Sequence, residues 1–132
     1  MYLLDTNICS YFMKNMYPQL TEKLLSLETS TLLISSVTVY ELSYGAEKSR
    51  WSEQTKQKLA LFLAPFTILP FTADDAVNAG KIRSYLEKQG KPIGPYDIQI
   101  AAQALTRNIT LVTHNTGEFS RIPYIKLEDW TI

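Results

Sequence analysis

Short apolar runs alternate with longer amphipathic stretches along the whole of this chain, and few folds accept that rhythm. Tyr2 to Leu4, Thr31 to Ile34, Thr67 to Leu69, Thr110 to Val112 and Ile125 to Leu127 are brief and mostly apolar or β-branched, as strands buried on both faces require. Between them the pattern predicts helices over Thr6 to Lys14, Tyr17 to Leu27, Val37 to Lys48, Ser52 to Leu63, Ala73 to Gln89 and Pro95 to Arg107. Strands that alternate with helices build a parallel sheet joined by right-handed crossovers. The expected fold class is therefore α/β, with a central parallel sheet of about five strands flanked by helices.

Local chemistry supports these boundaries. Ser35 and Ser36 can cap the third helix, and Thr72 with Asp75 three residues later forms a capping box. Gly90 follows the long fifth helix as a stop, and Gly94-Pro95 places a proline at a first helical position. No repeat, low-complexity tract or linker interrupts the pattern, so residues 1–132 read as a single domain. A chain of 132 residues can hide about 68% of its unfolded surface. At 45% hydrophobic and 20% charged residues, disorder and fibrous or disulfide-stapled scaffolds are excluded. The single cysteine, Cys9, cannot form an internal disulfide and reads as a packing residue. No stretch approaches a membrane span and the first residues do not form a signal peptide, so the expected location is cytoplasmic.

Ligands of open α/β sheets bind beyond the carboxyl ends of the strands, and acids gather in that part of the sequence. Asp5 directly follows the first strand, and Glu41 lies a turn and a half into the helix after the second. Asp97 is in the first turn of the helix opened by Pro95, and Glu118 comes shortly after the fourth strand. Brought together, these carboxylates would repel one another and raise at least one pKa. A divalent cation resolves that repulsion, and an all-oxygen donor set suits Mg²⁺ or Mn²⁺ rather than zinc. Such a site can activate water for phosphodiester hydrolysis. Each acid also has a plainer role open to it. Asp5 can cap the first helix, Asp97 can offset a helix dipole, and Glu41 can be a solvated edge beside Val37, Tyr40 and Tyr44. Glu118, in a polar segment, reads as a surface residue.

Taken in order, the motifs resemble the PIN-domain ribonucleases, and within them the VapC toxins of bacterial toxin-antitoxin pairs. The resemblance runs through Leu3-Leu4-Asp5-Thr6-Asn7, Ser35-Ser36-Val37-Thr38-Val39-Tyr40-Glu41-Leu42 with Tyr44-Gly45-Ala46, and Gly90-Lys91-Pro92-Ile93-Gly94-Pro95-Tyr96-Asp97 leading into Ile100-Ala101-Ala102. It continues through Leu111-Val112-Thr113-His114-Asn115 with Glu118-Phe119, and closes on Leu127-Glu128-Asp129-Trp130. It implies a PIN-like fold and an Mg²⁺- or Mn²⁺-dependent endoribonuclease in which Asp5, Glu41 and Asp97 are the catalytic, metal-binding acids. Thr6, Asn7 and Thr113 fall at supporting polar positions that would orient those acids. Many members carry a fourth aspartate where this chain has Asn115, so the resemblance leaves open whether one metal acts or two. Asn115 can offer a carbonyl oxygen, and Glu118 can supply the missing charge.

The resemblance also implies partners: a VapB-like antitoxin that can push an arginine toward the acids, a second copy of the chain in a homodimer, and an RNA substrate. Relatives carrying the Gly-Pro-Tyr/Phe-Asp block cut the initiator tRNA anticodon stem-loop, which makes a tRNA the expected target and inhibition of translation the expected effect. Tyr11, Phe12, Tyr40, Tyr44, Leu59, Phe62, Leu63 and Phe66 are more apolar surface than one small domain buries comfortably, and the early helices are expected to present it to a second copy and to the antitoxin. Lys81, Arg83, Lys88 and Lys91 form either a solvated helix face or a phosphate-contacting edge ahead of Asp97. His114, the single histidine, excludes a paired-histidine ribonuclease.

Other functions fit less well. No acceptor aspartate follows the third strand, as a receiver domain would need, and Asp5-Thr6-Asn7 lacks the second aspartate of a haloacid-dehalogenase-type phosphatase. No phosphate-binding glycine loop with Lys-Ser or Lys-Thr occurs. A PIN-like module that binds RNA or antitoxin without cleaving stays open on account of Asn115. The formal charge of +0 argues against an obvious nucleic-acid binder. If the acids face a metal, however, neutrality is an average over an acidic pocket and a basic remainder.

Overall fold

Leu3 pairs in register with Leu33 on one side and with Leu111 on the other, so the strand that opens the pattern lies in the middle of the sheet. The computed structural model describes residues 1–132. Its strands are β1 (Tyr2–Leu4), β2 (Leu32–Ser35), β3 (Thr67–Leu69), β4 (Thr110–Val112) and β5 (Lys126–Glu128). The helices are α1 (Thr6–Met13), α2 (Pro18–Leu25), α3 (Ser36–Glu47), α4 (Ser52–Leu63), α5 (Ala73–Lys88), α6 (Pro95–Arg107) and the short α7 (Thr116–Phe119). The strands form one five-stranded sheet in the order β3-β2-β1-β4-β5, and every pair is parallel. The expected α/β class and five-stranded parallel sheet are therefore observed.

Strand side chains alternate between two cores. Leu3, Leu33 and Leu111 pack with Ile82 and Leu86 of α5 and Ile98 and Ala101 of α6. Leu4, Ile34 and Val112 pack on the other face with Ile8 of α1, Leu20 and Leu24 of α2, and Leu59 and Phe62 of α4. This accounts for the near-continuous hydrophobicity of the central strands. The sequence expectation fails at the two edges: β3 and β5 are largely exposed, and Lys126 and Glu128 face solvent. Each edge strand has a neighbour on one side only, and on β5 the charges discourage pairing with another chain.

Helix ends follow the local chemistry. The Ser35 hydroxyl accepts from the Val37 amide at 2.9 Å and caps α3. Ser36 lies inside the helix, and its hydroxyl accepts from the Phe71 amide at 3.1 Å, tying α3 to the segment after β3. The Thr72–Asp75 box is complete, and Gly90 takes the left-handed conformation with φ +69° after α5. The buried Asp75 carboxylate also receives Arg107 at 2.7 and 3.2 Å, which clamps α5 to α6. Although burial pushes its pKa up, Arg107 and Thr72 hold Asp75 below the ordinary carboxylate value. The unanticipated α7 is a four-residue turn anchored by buried Phe119. Of the aromatic and apolar excess, Leu59 and Phe62 enter the core, while Tyr11, Phe12, Leu63 and Phe66 are partly buried against it. Tyr40 and Tyr44 stay exposed.

Candidate acidic site

From β1 the chain steps to β2 and β3 on one side, then returns to lay β4 against the other edge of β1. The connections leave in opposite directions from β1 and β4, which makes a crevice at the carboxyl ends of those two strands. Asp5 stands in it. Its amide extends the ladder by donating to the Val112 carbonyl at 3.1 Å. Its carboxylate accepts from the Ile8 amide at 2.8 Å and so caps α1. Capping takes one carboxylate oxygen from one side only, so the structural role and the site role of Asp5 are compatible on one side chain.

The electrostatics bring the other acids to it. Burial pushes the Asp5 pKa up, Thr113 and the Ile8 amide pull it down, and the charges of Asp97 and Glu41 push it up again, which leaves it at about 6. Asp97, half-buried in the first turn of α6, is raised by burial and then by Glu41 and Glu118. Pro95 at the first helical position and the extended Gly94 before it set where that turn begins. Four acids from separate segments thus share one field.

Hydroxyls and one amide fix the orientations. Thr6 donates to Glu41 Oε1 at 2.7 Å, and its oxygen lies 3.0 Å from the hydroxyl of buried Thr38. Thr38 was not singled out in the sequence, although its position three residues before Glu41 puts both on one face of α3. Buried Thr113 accepts from the Asn115 amide at 2.9 Å. Asn115 Nδ2 donates to Glu118 Oε2 at 2.8 Å, which draws Glu118 out of its expected surface role and leaves its other oxygen free. Asn7 is exposed in the first turn of α1.

Other candidates stand apart. His114 Nδ1 lies 3.0 Å from Asp129 Oδ2 and 2.8 Å from Thr131 Oγ1, so the imidazole is engaged at the C-terminal segment rather than with the acids. Lys81, Arg83, Lys88 and Lys91 are exposed, and Arg83 Nε is turned to Glu87 at 3.3 Å. Two lysines the sequence did not flag are better placed. A cleft of ≈ 600 Å³ opens beside Glu41 between α1, α3 and α4, bordered by Ser10, Lys14, Ser49, Thr55 and Lys58.

No three His, Cys, Asp or Glu side chains lie close enough together to hold one ion directly. The acids therefore form a ring wider than a closed protein cage. An all-oxygen ring with a repulsive field and free carboxylate oxygens fits a small, hard cation that keeps part of its own water shell. It does not fit a zinc site, which needs nitrogen or sulfur ligands in a tight tetrahedron.

The chain is similar to known proteins along most of its length. The family model described as the PIN domain matches residues 2–124. A tRNA(fMet)-specific endonuclease VapC from Salmonella typhimurium is 41% identical over 129 residues, covering 98% of this chain and 97% of that protein. Ribonuclease VapC2 from Rickettsia felis is 43% identical over 131 residues, with 98% and 97% covered. Among solved structures, VapBC from Salmonella typhimurium bound to DNA superposes with a TM-score of 0.92 at 41% identity, covering 98% of this chain and 97% of that one. VapBC2 from Rickettsia felis, bound to a promoter DNA fragment, gives 0.91 at 41% identity over 98% of each chain.

Proposed function

The chain belongs to the PIN-domain family and, within it, to the VapC group, and on that premise we propose that it is the toxin of a toxin-antitoxin pair, a divalent-metal-dependent endoribonuclease acting on tRNA. The observation that carries the reading is the placement of Asp5, Glu41, Asp97 and Glu118 about the crevice between β1 and β4, where burial first, and then the charges of neighbouring acids, raise both Asp5 and Asp97. Carboxylates crowded this way are stable when a cation stands among them. A related chain named for tRNA(fMet) makes the initiator tRNA anticodon stem-loop the first substrate to test.

Asp5, Glu41 and Asp97 would hold Mg²⁺ or Mn²⁺ in part through the ion's own water shell, with Glu118 and the Asn115 carbonyl adding to the set. When bound, the cation supplies positive charge at the scissile phosphate and lowers the pKa of the attacking water. Thr6 keeps the Glu41 carboxylate pointed into the crevice, and Thr113 does the same for Asp5. Lys14 and Lys58 flank the cleft beside Glu41 and can hold phosphates on one side of the cut. The exposed Lys81, Lys88 and Lys91 can serve the same electrostatic purpose farther off. In the overall reaction water adds to phosphorus and the ester bond to one ribose oxygen breaks, that oxygen taking up a proton.

The partners follow from the surface. A groove of ≈ 280 Å³ lined by Phe12, Leu24, Leu25, Leu61, Phe62 and Pro65 offers an apolar seat for an amphipathic antitoxin segment, and the structural relatives are VapBC complexes. A second copy of the chain is the other expected partner, and light scattering of the isolated protein at high concentration should give a dimer rather than a monomer.

The deciding experiment is cleavage of a tRNA pool by wild type and by Asp97→Asn, with Mg²⁺ or Mn²⁺ and with EDTA. Cleavage by wild type alone, lost in EDTA, is the expected result. Equal cleavage by both proteins would overturn the assigned site, and no cleavage by either would favour a module that binds RNA or antitoxin without cutting.

A further inference from the structure

Two exposed tyrosines stand at the rim of the acidic crevice, each immediately before one of its acids. Tyr40 precedes Glu41 on α3 and Tyr96 precedes Asp97 on α6. Their rings lie 5.5 Å apart at 63°, edge to face, and the Tyr96 hydroxyl donates to that of Tyr40 at 3.3 Å. Neither ring joins either core, and they keep 55% and 39% of their surface in solvent. Folding alone gives no reason for two large rings to be held here in water. Tyr44, one turn farther along α3, is also exposed, and Lys48 Nζ lies 4.8 Å from the centre of its ring. Positions 40, 44 and 48 lie along one face of α3, rising about 6 Å at each step. An aromatic stripe ending in a cation therefore leads away from the acids.

We propose that Tyr40 and Tyr96 form a stacking platform for an unpaired RNA base next to the scissile phosphate, and that Tyr44 with Lys48 continues the path for the adjoining nucleotide. The proposal rests on the nuclease reading above and adds how the strand is held for it. Every base offers a π-face, so aromatic platforms grip single-stranded RNA without demanding a sequence. The edge-to-face contact fixes the two rings against each other, so a base meets a surface already ordered. Continuity with the acids favours RNA over a second copy of the chain, because a base seated on this pair brings its own phosphate toward Asp97 and Glu41. The hydroxyls and the lysine suit a nucleotide better than a dry seam between copies.

The test uses short single-stranded RNAs spanning the cleavage site, each with one abasic position, against wild type, Tyr96→Phe, Tyr96→Ala and Tyr40→Ala. One abasic position beside the cut should raise the wild-type KM about tenfold, the size of one lost stack. It should add nothing further in either alanine variant, whose KM is already raised, while kcat changes less than KM. Tyr96→Phe keeps the ring and should retain the abasic penalty. A cleavage-independent measurement runs beside it: 2-aminopurine at that position should be quenched on binding to Asp97→Asn, and not when Tyr40 and Tyr96 are also alanine. If the abasic penalty persists in the alanine variants, the platform is refuted although the enzyme still cuts. A change in oligomeric state with no change in KM or quenching would also refute it, assigning the rings to an interface between copies. Quenching that depends on the tyrosines, with no cleavage by wild type, would leave the platform standing and refute the nuclease reading.

Discussion

Replacing Asp5 by asparagine should make the metal-free protein more stable at neutral pH. The Asp5 carboxyl titrates at about 6 in the folded chain and at 3.8 when free. The folded state therefore holds a proton that the unfolded state has already lost. Stability from this group is fully present below the unfolded value and falls as pH rises through the folded one. At 1.36 kcal/mol per unit, the loss approaches about 3 kcal/mol above pH 7. Asparagine cannot ionise, and its carbonyl can still accept from the Ile8 amide that the carboxylate caps at 2.8 Å. Some of the gain is offset because a neutral amide is a weaker acceptor for Thr113 and for the helix N-terminus, so about 2 kcal/mol is expected. For 132 residues that is roughly 7 °C in Tm.

Thermal melts in EDTA across pH 4 to 8 measure this directly. Wild type should lose stability chiefly between pH 4 and 6 and level off above about pH 7, and Asp5→Asn should lose less. A residual slope remains in the variant from Asp97, which is raised for the same reasons. The depressed groups, Asp75 and Asp129, titrate below their ordinary value and act at more acid pH, so they leave the window clear. Adding Mg²⁺ or Mn²⁺ should restore wild type preferentially. If Asp5→Asn were less stable than wild type at pH 8 in EDTA, or if wild type gained stability from pH 5 to 8, the account of a frustrated acidic site would be wrong.

Thr6→Val removes the 2.7 Å donor that orients Glu41; kcat should fall by about 10- to 100-fold with little change in Tm, and equal kcat would remove Thr6 from the site. Asn115→Asp replaces the donor to Glu118 with a like charge; calorimetric titration should show tighter Mn²⁺ binding, and melts in EDTA a loss of about 1 kcal/mol. Arg107→Ala leaves the buried Asp75 carboxylate without its partner. Since the guanidinium is partly solvated, urea unfolding at pH 7 should show a loss of about 2–3 kcal/mol, shrinking as pH falls and Asp75 is protonated.

What the sequence could show depended on whether a feature was local. The capping box at Thr72 and Asp75, the stop at Gly90 and the start at Pro95 are written in adjacent residues, and the structure reproduces them. The parallel sheet was legible because central strands such as Leu3-Leu4 and Leu111-Val112 need apolar side chains on both faces. The exposure of β3 and β5 was not, because edge position belongs to the sheet order and not to any strand's own residues. Asp5, Glu41 and Asp97 could be picked out by their places after strands and by family resemblance. Thr38 and the Tyr40–Tyr96 contact could not, since a bond between residues 6 and 38, or 40 and 96, exists only after folding. Nor did the pattern reveal α7, whose four residues are too few to show a period.

The central position of β1 also sets the order in which this molecule can become active. Asp5 ends the segment that holds β1, yet the carbonyl that fixes its amide belongs to Val112 and the hydroxyl that steadies its carboxylate to Thr113, more than a hundred residues later. Without β4, one edge of β1 would be unpaired and the crevice would have a single wall. Until β4 docks, the acid at the centre of the sheet has neither its backbone anchor nor its hydroxyl partner, so completion of the site waits on the insertion of one short strand.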